Sequence, residues 1–186
     1  MRAILRITPL LIICLQAQAW DREPAIAASV VSLLVWNPMQ LNGVGFDQMS
    51  DHDFDRTRML WLWGFDDSIK EWGWLTLEGH LELGFGQTTP TPPDVSIGLT
   101  PILEWTVERG PWRGFVETGL GAHYLTRTTH EDRDLSTHFQ FGETLGAGAR
   151  YKNLQLSLRF QHLSNGDIVK PNNGYNFYGI ALKFWY

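Results

Sequence analysis

From about residue 40 to the end of the chain, apolar and polar residues alternate with a period of two, and helical periodicity is scarce. The alternation predicts eight strands, over about Leu41–Met49, Arg56–Phe65, Trp72–Phe85, Val95–Val107, Trp112–Thr126, Thr137–Tyr151, Leu154–Ser164 and Tyr175–Tyr186. Each has one apolar face. In the third strand Leu75, Leu77, Leu81, Leu83 and Phe85 oppose Thr76, Glu78, His80 and Glu82. In the fourth, Val95, Ile97, Leu99, Leu103 and Trp105 oppose Ser96, Gly98, Thr100 and Glu104. Connections alternate as well. Those after odd strands are long and polar (Ser50–Asp55, Gly86–Asp94, Arg127–Ser136, Asn165–Gly174), and those after even strands are generally shorter (Asp66–Glu71, Glu108–Pro111, Lys152–Asn153).

Strands of ten residues or a little more suit a tilted crossing of a bilayer, and no apolar run reaches the roughly 20 residues a spanning helix needs. The predicted class is therefore all-β, an eight-stranded antiparallel transmembrane β-barrel. A soluble lipocalin-like barrel would turn the same apolar face inward. The Leu- and Trp-rich face and the closing Phe184-Trp185-Tyr186 favour lipid outside. In so narrow a barrel the polar face fills the interior, so Glu78, Glu82, Glu104, Glu117, Arg150 and Arg159 are expected to pair there without leaving a pore. His80, His123 and His138 are expected on the same inner face as hydrogen-bonding groups.

The N-terminus reads as an export signal: Arg2 and Arg6, an apolar Thr8–Leu15, and the small-x-small site Ala17-Gln18-Ala19. The expected domains are a signal peptide over 1–19 and one barrel over 20–186, with residues 20–40 unassigned to a strand. The only cysteine, Cys14, lies in the signal, so disulfides, zinc-thiolate sites and cysteine nucleophiles drop out of the mature chain. The net charge of −5 and the lack of a basic patch exclude nucleic acid as a partner. Nine Trp and an aromatic content of 13% fit interfacial girdles at the strand ends. Acidic outer connections, with His52 and His130 among Asp51, Asp53, Glu131, Asp132 and Asp134, read as solvated loops.

Two residues break the pattern. In Leu154–Ser164 the apolar parity runs Leu154, Leu156, Leu158, Phe160 and then His162 and Ser164. With both termini on the inner side, odd strands run outward, which puts this pair at the outer end of the wall, facing lipid. A Ser and a His two apart on one face have Cα atoms roughly 6.5–7 Å apart, close enough for a nucleophile and its base. A turn centred between Lys152 and Asn153 pairs Glu143 with His162 across the sixth and seventh strands. Asn176 begins the eighth strand on the same outward face. Either Glu143 or Asn176 can orient the imidazole. Asn165 and Gly166, directly after the serine, are candidates to hold a developing oxyanion.

The run His162-x-Ser164-Asn165, then Lys170-Pro171-Asn172-x-Gly174 and a closing aromatic strand, resembles the PagL lipid A 3-O-deacylases. Phe115–Gly121 and Gly146-Ala147-Gly148, the latter preceded by Phe141 and Glu143, extend the resemblance over most of the chain from about residue 40. It implies a carboxylic ester hydrolase of the outer membrane that removes the 3-O-linked acyl chain of lipid A with a serine-type triad and neither metal nor other cofactor. Its partners would be lipopolysaccharide and outer-membrane lipids, and a homodimer is compatible with it. Carried over, Ser164 is the nucleophile, His162 the base, Asn165 an oxyanion support, and Asn172 part of the substrate-binding loop. The family's triad acid falls on Asn176, which is not acidic, and its glycine two residues after the motif Asn falls on Asp167. The same pattern admits a non-catalytic barrel with a structural or adhesive role, or an esterase acting on phospholipid.

Overall fold

A computed structural model of the chain describes residues 37, 39–52, 54–89, 94–130 and 133–186. The expected signal at 1–19 and residues 20–36 lie outside the described residues. The unit Leu41–Tyr186 carries eight wall strands: β1 Gly43–Asp51, β2 Phe54–Gly64, β3 Leu75–Thr89, β4 Asp94–Arg109, β5 Trp112–Leu125, β6 Phe139–Tyr151, β7 Leu154–Ser164 and β8 Tyr175–Trp185. Each pairs antiparallel with the next, and β1 also pairs with β8, Gly43 opposite Trp185, so the sheet closes on itself. Closure leaves no free edge, as a sheet surrounded by lipid requires.

The outward face is the apolar one. Leu158 is 71% exposed and Leu145 55%, whereas Arg159 between Leu158 and Phe160 is 4% exposed. That ordering is the reverse of a ligand-holding soluble barrel and matches a wall in contact with lipid.

The interior is a charge cluster. Arg159 on β7 donates from Nε to Glu117 Oε1 at 2.7 Å and from Nη1 and Nη2 to the two Glu82 oxygens at 2.9 Å each. Lys183 on β8 lies 3.3 Å from both Glu117 Oε2 and Glu82 Oε2 and donates to His80 Nε2 at 3.1 Å. Gln155 Nε2 reaches Glu104 Oε1 at 2.8 Å, and Arg58 on β2 pairs with Asp47 on β1. Glu82, Glu104, Glu117 and Arg159 thus occupy the expected interior. Glu78 pairs with Arg113 at 2.5 Å nearer the rim. Lys183, Asp47 and Arg58 complete the cluster. Room for it comes from the small face of β6: a Cβ at Gly146 would stand 2.7 Å from Glu117 Oε1.

Several expectations change. The first outer connection is not a long loop, because Ser50 pairs with Asp55 and Asp51 with Phe54, which leaves only two residues between the paired strands. A Ser50 Oγ to Asp55 Oδ1 bond of 2.6 Å keeps those polar residues in the ladder. The stretch expected as a short inner turn, Asp66–Glu71, instead runs into a three-residue strand, Lys70–Trp72, paired with Leu75–Leu77. His80 and His123 are buried inside, but His138 is exposed on the outside, stacked on Tyr124 with Nδ1 2.8 Å from Leu125 O. It lies just before β6, where the strand parity does not yet hold.

The cluster predicts its own sensitivity. Glu117→Ala takes from Arg159 and Lys183 one of the two carboxylates they share and leaves two buried cations on Glu82, so it should cost about 3–5 kcal/mol. Urea titration of the protein refolded into vesicles measures this, and a change under about 1 kcal/mol would mean the cluster is not what holds the wall.

Candidate active site

Strand β7 delivers the site because its alternation continues to its last residue. Leu163 points inward between His162 and Ser164, into an apolar plug with Met49, Phe54, Leu125, Leu135, Tyr175 and Phe177. Burying Leu163 fixes the parity of its neighbours, so both side chains stand on the outer wall, half-buried. The chain then reverses. Gly166 and Asp167 both have positive φ (67° and 61°), and Ile168 N–H donates to Asn165 O at 3.4 Å, a type I′ turn. Asp167 thereby takes the left-handed conformation that a glycine would supply, which short polar side chains tolerate.

The register across β6 and β7 is the one the turn at Lys152–Asn153 predicts: His162 stands opposite Glu143, and Ser164 opposite Phe141. Across β7 and β8, His162 stands opposite Asn176. Both candidate orienting groups are therefore neighbours of the imidazole. Its hydrogen bond goes to one of them: His162 Nδ1 is 2.9 Å from Asn176 Oδ1. A carbonyl oxygen accepts, so Nδ1 carries the proton and Nε2 keeps its lone pair for a base's work. Among the described residues no hydrogen bond or ion pair joins Glu143 to the ring. The Glu143 side chain instead stands at the head of an apolar depression of about 660 Å³ on the outer wall, lined by Pro101, Leu103, Leu120, Leu145 and Phe160.

Ser164 and His162 share the face without a direct hydrogen bond among the described residues, as is common before substrate closes a site. Gly174 sits against both. A Cβ there would meet Leu163 O at 2.9 Å, His162 Cε1 at 3.2 Å and Ser164 Cβ at 3.7 Å, and its φ is +64°. Gly174 was expected only as part of a motif, and its role in making room for the ring is visible from the packing alone.

The loop after the serine is built around Asn165. Its Nδ2 donates to Leu135 O at 2.9 Å and Val169 O at 2.8 Å, and its backbone N–H donates to Asn172 Oδ1 at 3.1 Å. All three of its N–H bonds are engaged, by Leu135, Val169 and Asn172, so Asn165 anchors the turn. Asn172 spans the same turn, donating to Asp167 Oδ1 at 3.2 Å. The backbone N–H of Gly166 carries no partner among the described residues. Ser136 Oγ donates to Pro171 O at 2.6 Å, which ties this loop to the outer connection before β6.

The sequence model of the lipid A 3-O-deacylase (PagL) family matches residues 56–185. The chain belongs to the lipid A 3-O-deacylase (PagL) family. Its similarity to curated members is distant: 28% identity over 135 residues with the lipid A deacylase PagL of Bordetella bronchiseptica, covering 70% of this chain and 71% of that one. With the lipid A deacylase PagL of Pseudomonas aeruginosa it is 27% over 89 residues, covering 47% and 51%. A crystal structure of the outer membrane enzyme PagL superimposes with a TM-score of 0.71 at 21% identity, over 76% of this chain and 97% of that one, which places the PagL barrel fold.

The geometry makes one residue critical. Gly174→Ala strains a left-handed position by about 1–2 kcal/mol and pushes a methyl against the His162 ring. Its chemical-shift signature should be a displaced His162 resonance in an otherwise unchanged spectrum of the barrel.

Proposed function

We propose that this chain is an outer-membrane esterase that removes the 3-O-linked acyl chain of lipid A in the outer leaflet. The observation that carries the reading is the His162–Asn176 hydrogen bond beside Ser164 on the lipid-facing wall. A soluble hydrolase hides such a pair in a cleft, whereas here the substrate's own phase covers it.

Ser164 Oγ attacks the ester carbonyl carbon while His162 Nε2 takes the hydroxyl proton. The tetrahedral oxyanion is met by the Gly166 backbone N–H, with Asn165 and Asn172 holding the turn that presents it. Collapse breaks the bond to the sugar oxygen, which takes the proton from His162 and leaves as the free 3-hydroxyl. Water, deprotonated by His162, then attacks the acyl-serine, releasing the fatty acid and regenerating Ser164. Asn176 is the third member, holding Nδ1–H and hence the tautomer. The released chain lies in the apolar depression below Glu143. No metal or other cofactor enters this sequence. Nucleophile, base and amide all come from one chain, so a homodimer is not needed for the chemistry.

Ser164→Ala and His162→Asn should each abolish loss of a 3-hydroxy fatty acid from lipid A, read by mass spectrometry of the membrane, with the barrel still folded. Unchanged deacylation in either variant, or release only from phospholipid, would overturn the reading. Asn176→Ala removes one orienting hydrogen bond of about 1–1.5 kcal/mol, so kcat should fall roughly tenfold. A larger loss in Glu143→Ala than in Asn176→Ala would reassign the third member to Glu143.

A further inference from the structure

Asp51 ends β1 at the outer rim, on the inward parity it shares with Asp47 and Met49. It is 4% exposed, so it is not one of the solvated loop acids. Its Oδ2 accepts the backbone N–H of Asn176 at 2.7 Å. The same carboxylate is gripped by Arg133, Nη1 to Oδ2 at 2.6 Å and Nη2 to Oδ1 at 3.2 Å. Arg133 Nη1 also donates to the Gly174 carbonyl at 3.1 Å. Its guanidinium lies 5.2 Å from the ring centre of Phe54 and 5.4 Å from that of Tyr175.

The ion pair therefore holds both residues that flank His162. Asn176 presents its carbonyl to Nδ1, and Gly174 backs the ring at Cε1. A neutral amide at the orienting position makes this necessary. A carboxylate would draw the imidazole N–H from a range of positions by charge, but an amide orients it only from the place where the amide itself is fixed. The residue that fixes it comes from the far end of the chain's first strand, and its counter-ion from the outer connection before β6.

We propose that Asp51 and Arg133 are positioning residues of the active site, acting on His162 through Asn176 and Gly174. The proposal rests on the Ser164–His162 esterase reading for its kinetic arm only. The full-length protein is refolded into vesicles containing lipopolysaccharide and assayed as Asp51→Asn, Asp51→Glu and Arg133→Lys. Asp51→Asn should lower kcat on the order of tenfold or more with KM within about twofold, and Asp51→Glu should recover most of the loss. In an Asn176→Ala background, Asp51→Asn should cost less than it does alone, because the amide it positions is gone and only the hold on Gly174 remains. Fully additive losses, or a lowered unfolding midpoint with unchanged kcat in the folded fraction, would make the pair a structural staple and overturn the proposal. A second measurement needs no substrate. The Nδ1–H proton of His162, identified by its absence in His162→Asn, should be seen by NMR in micelles and be lost or broadened in Asp51→Asn. If that proton persists unchanged, the proposal fails. If instead the unmutated protein releases no acyl chain from any lipid, the esterase reading fails while the proton signal still decides the positioning.

Discussion

Everything at the candidate active site depends on the parity of β7, and that parity is fixed by closure of the wall. A closed barrel has no edge at which a strand can slip, and a one-residue slip would send every side chain to the opposite face. In β7 such a slip would carry His162 and Ser164 into the charged interior and Leu163 into lipid. Two anchors prevent it. Arg159, three residues before His162, is clamped by Glu82 and Glu117 from two other strands. Leu163, between His162 and Ser164, fills the outer apolar plug. The outward position of Ser164 and His162 is thus set by what lies inside.

The interior cluster also explains how a barrel of this width tolerates so much buried charge. Burying an ion is expensive, and attraction to one partner repays that cost only with good geometry and satisfied lone pairs. Arg159 uses four donor contacts on two carboxylates, and Lys183 bridges the same two. Sharing distributes the charge over β3, β5, β7 and β8, so the electrostatic term acts as a cross-brace between strands that are not neighbours. The stability of the site and of the wall therefore have a common origin, since the same strands carry both.

Period-two alternation made the wall legible in the sequence. All eight strands fall near their expected places, and the pairing of Glu143 with His162 follows from the turn at Lys152–Asn153. What alternation does not encode is what happens where strands end. The Ser50–Asp55 hairpin looked like a loop because both its faces are polar, yet cross-strand hydrogen bonding keeps it in the ladder. His138 sits outside because it precedes the strand whose parity would have placed it. Asp51 carried a legible signal, its inward parity with Asp47, but its partners come from distant parts of the chain that only folding brings together. Asn165 could be read as adjacent to Ser164, though not as tied to Leu135 and Val169, because its acceptors are carbonyls of loops with no periodic pattern.

An asparagine as third member of the proposed triad has a consequence that follows from charge. In the proposed mechanism His162 becomes an imidazolium when it takes the serine proton, and an adjacent carboxylate would stabilise that ion through a charge-assisted bond roughly twice as strong as a neutral one. The amide of Asn176 supplies the tautomer and the direction of the ring, but only the weaker bond. The shortfall, about 1–1.5 kcal/mol, corresponds to roughly a tenfold slower attack. At this place on the wall the neutral group also has an advantage. A second outward carboxylate beside Glu143 would be one more charge to desolvate whenever a substrate acyl chain lay against it, whereas an amide loses less. The charge is present one step back, on Asp51, where Arg133 neutralises it and the protein rather than lipid surrounds it. The arrangement separates orientation, which is done at the lipid face by an uncharged group, from rigidity, which is supplied beneath it by an ion pair.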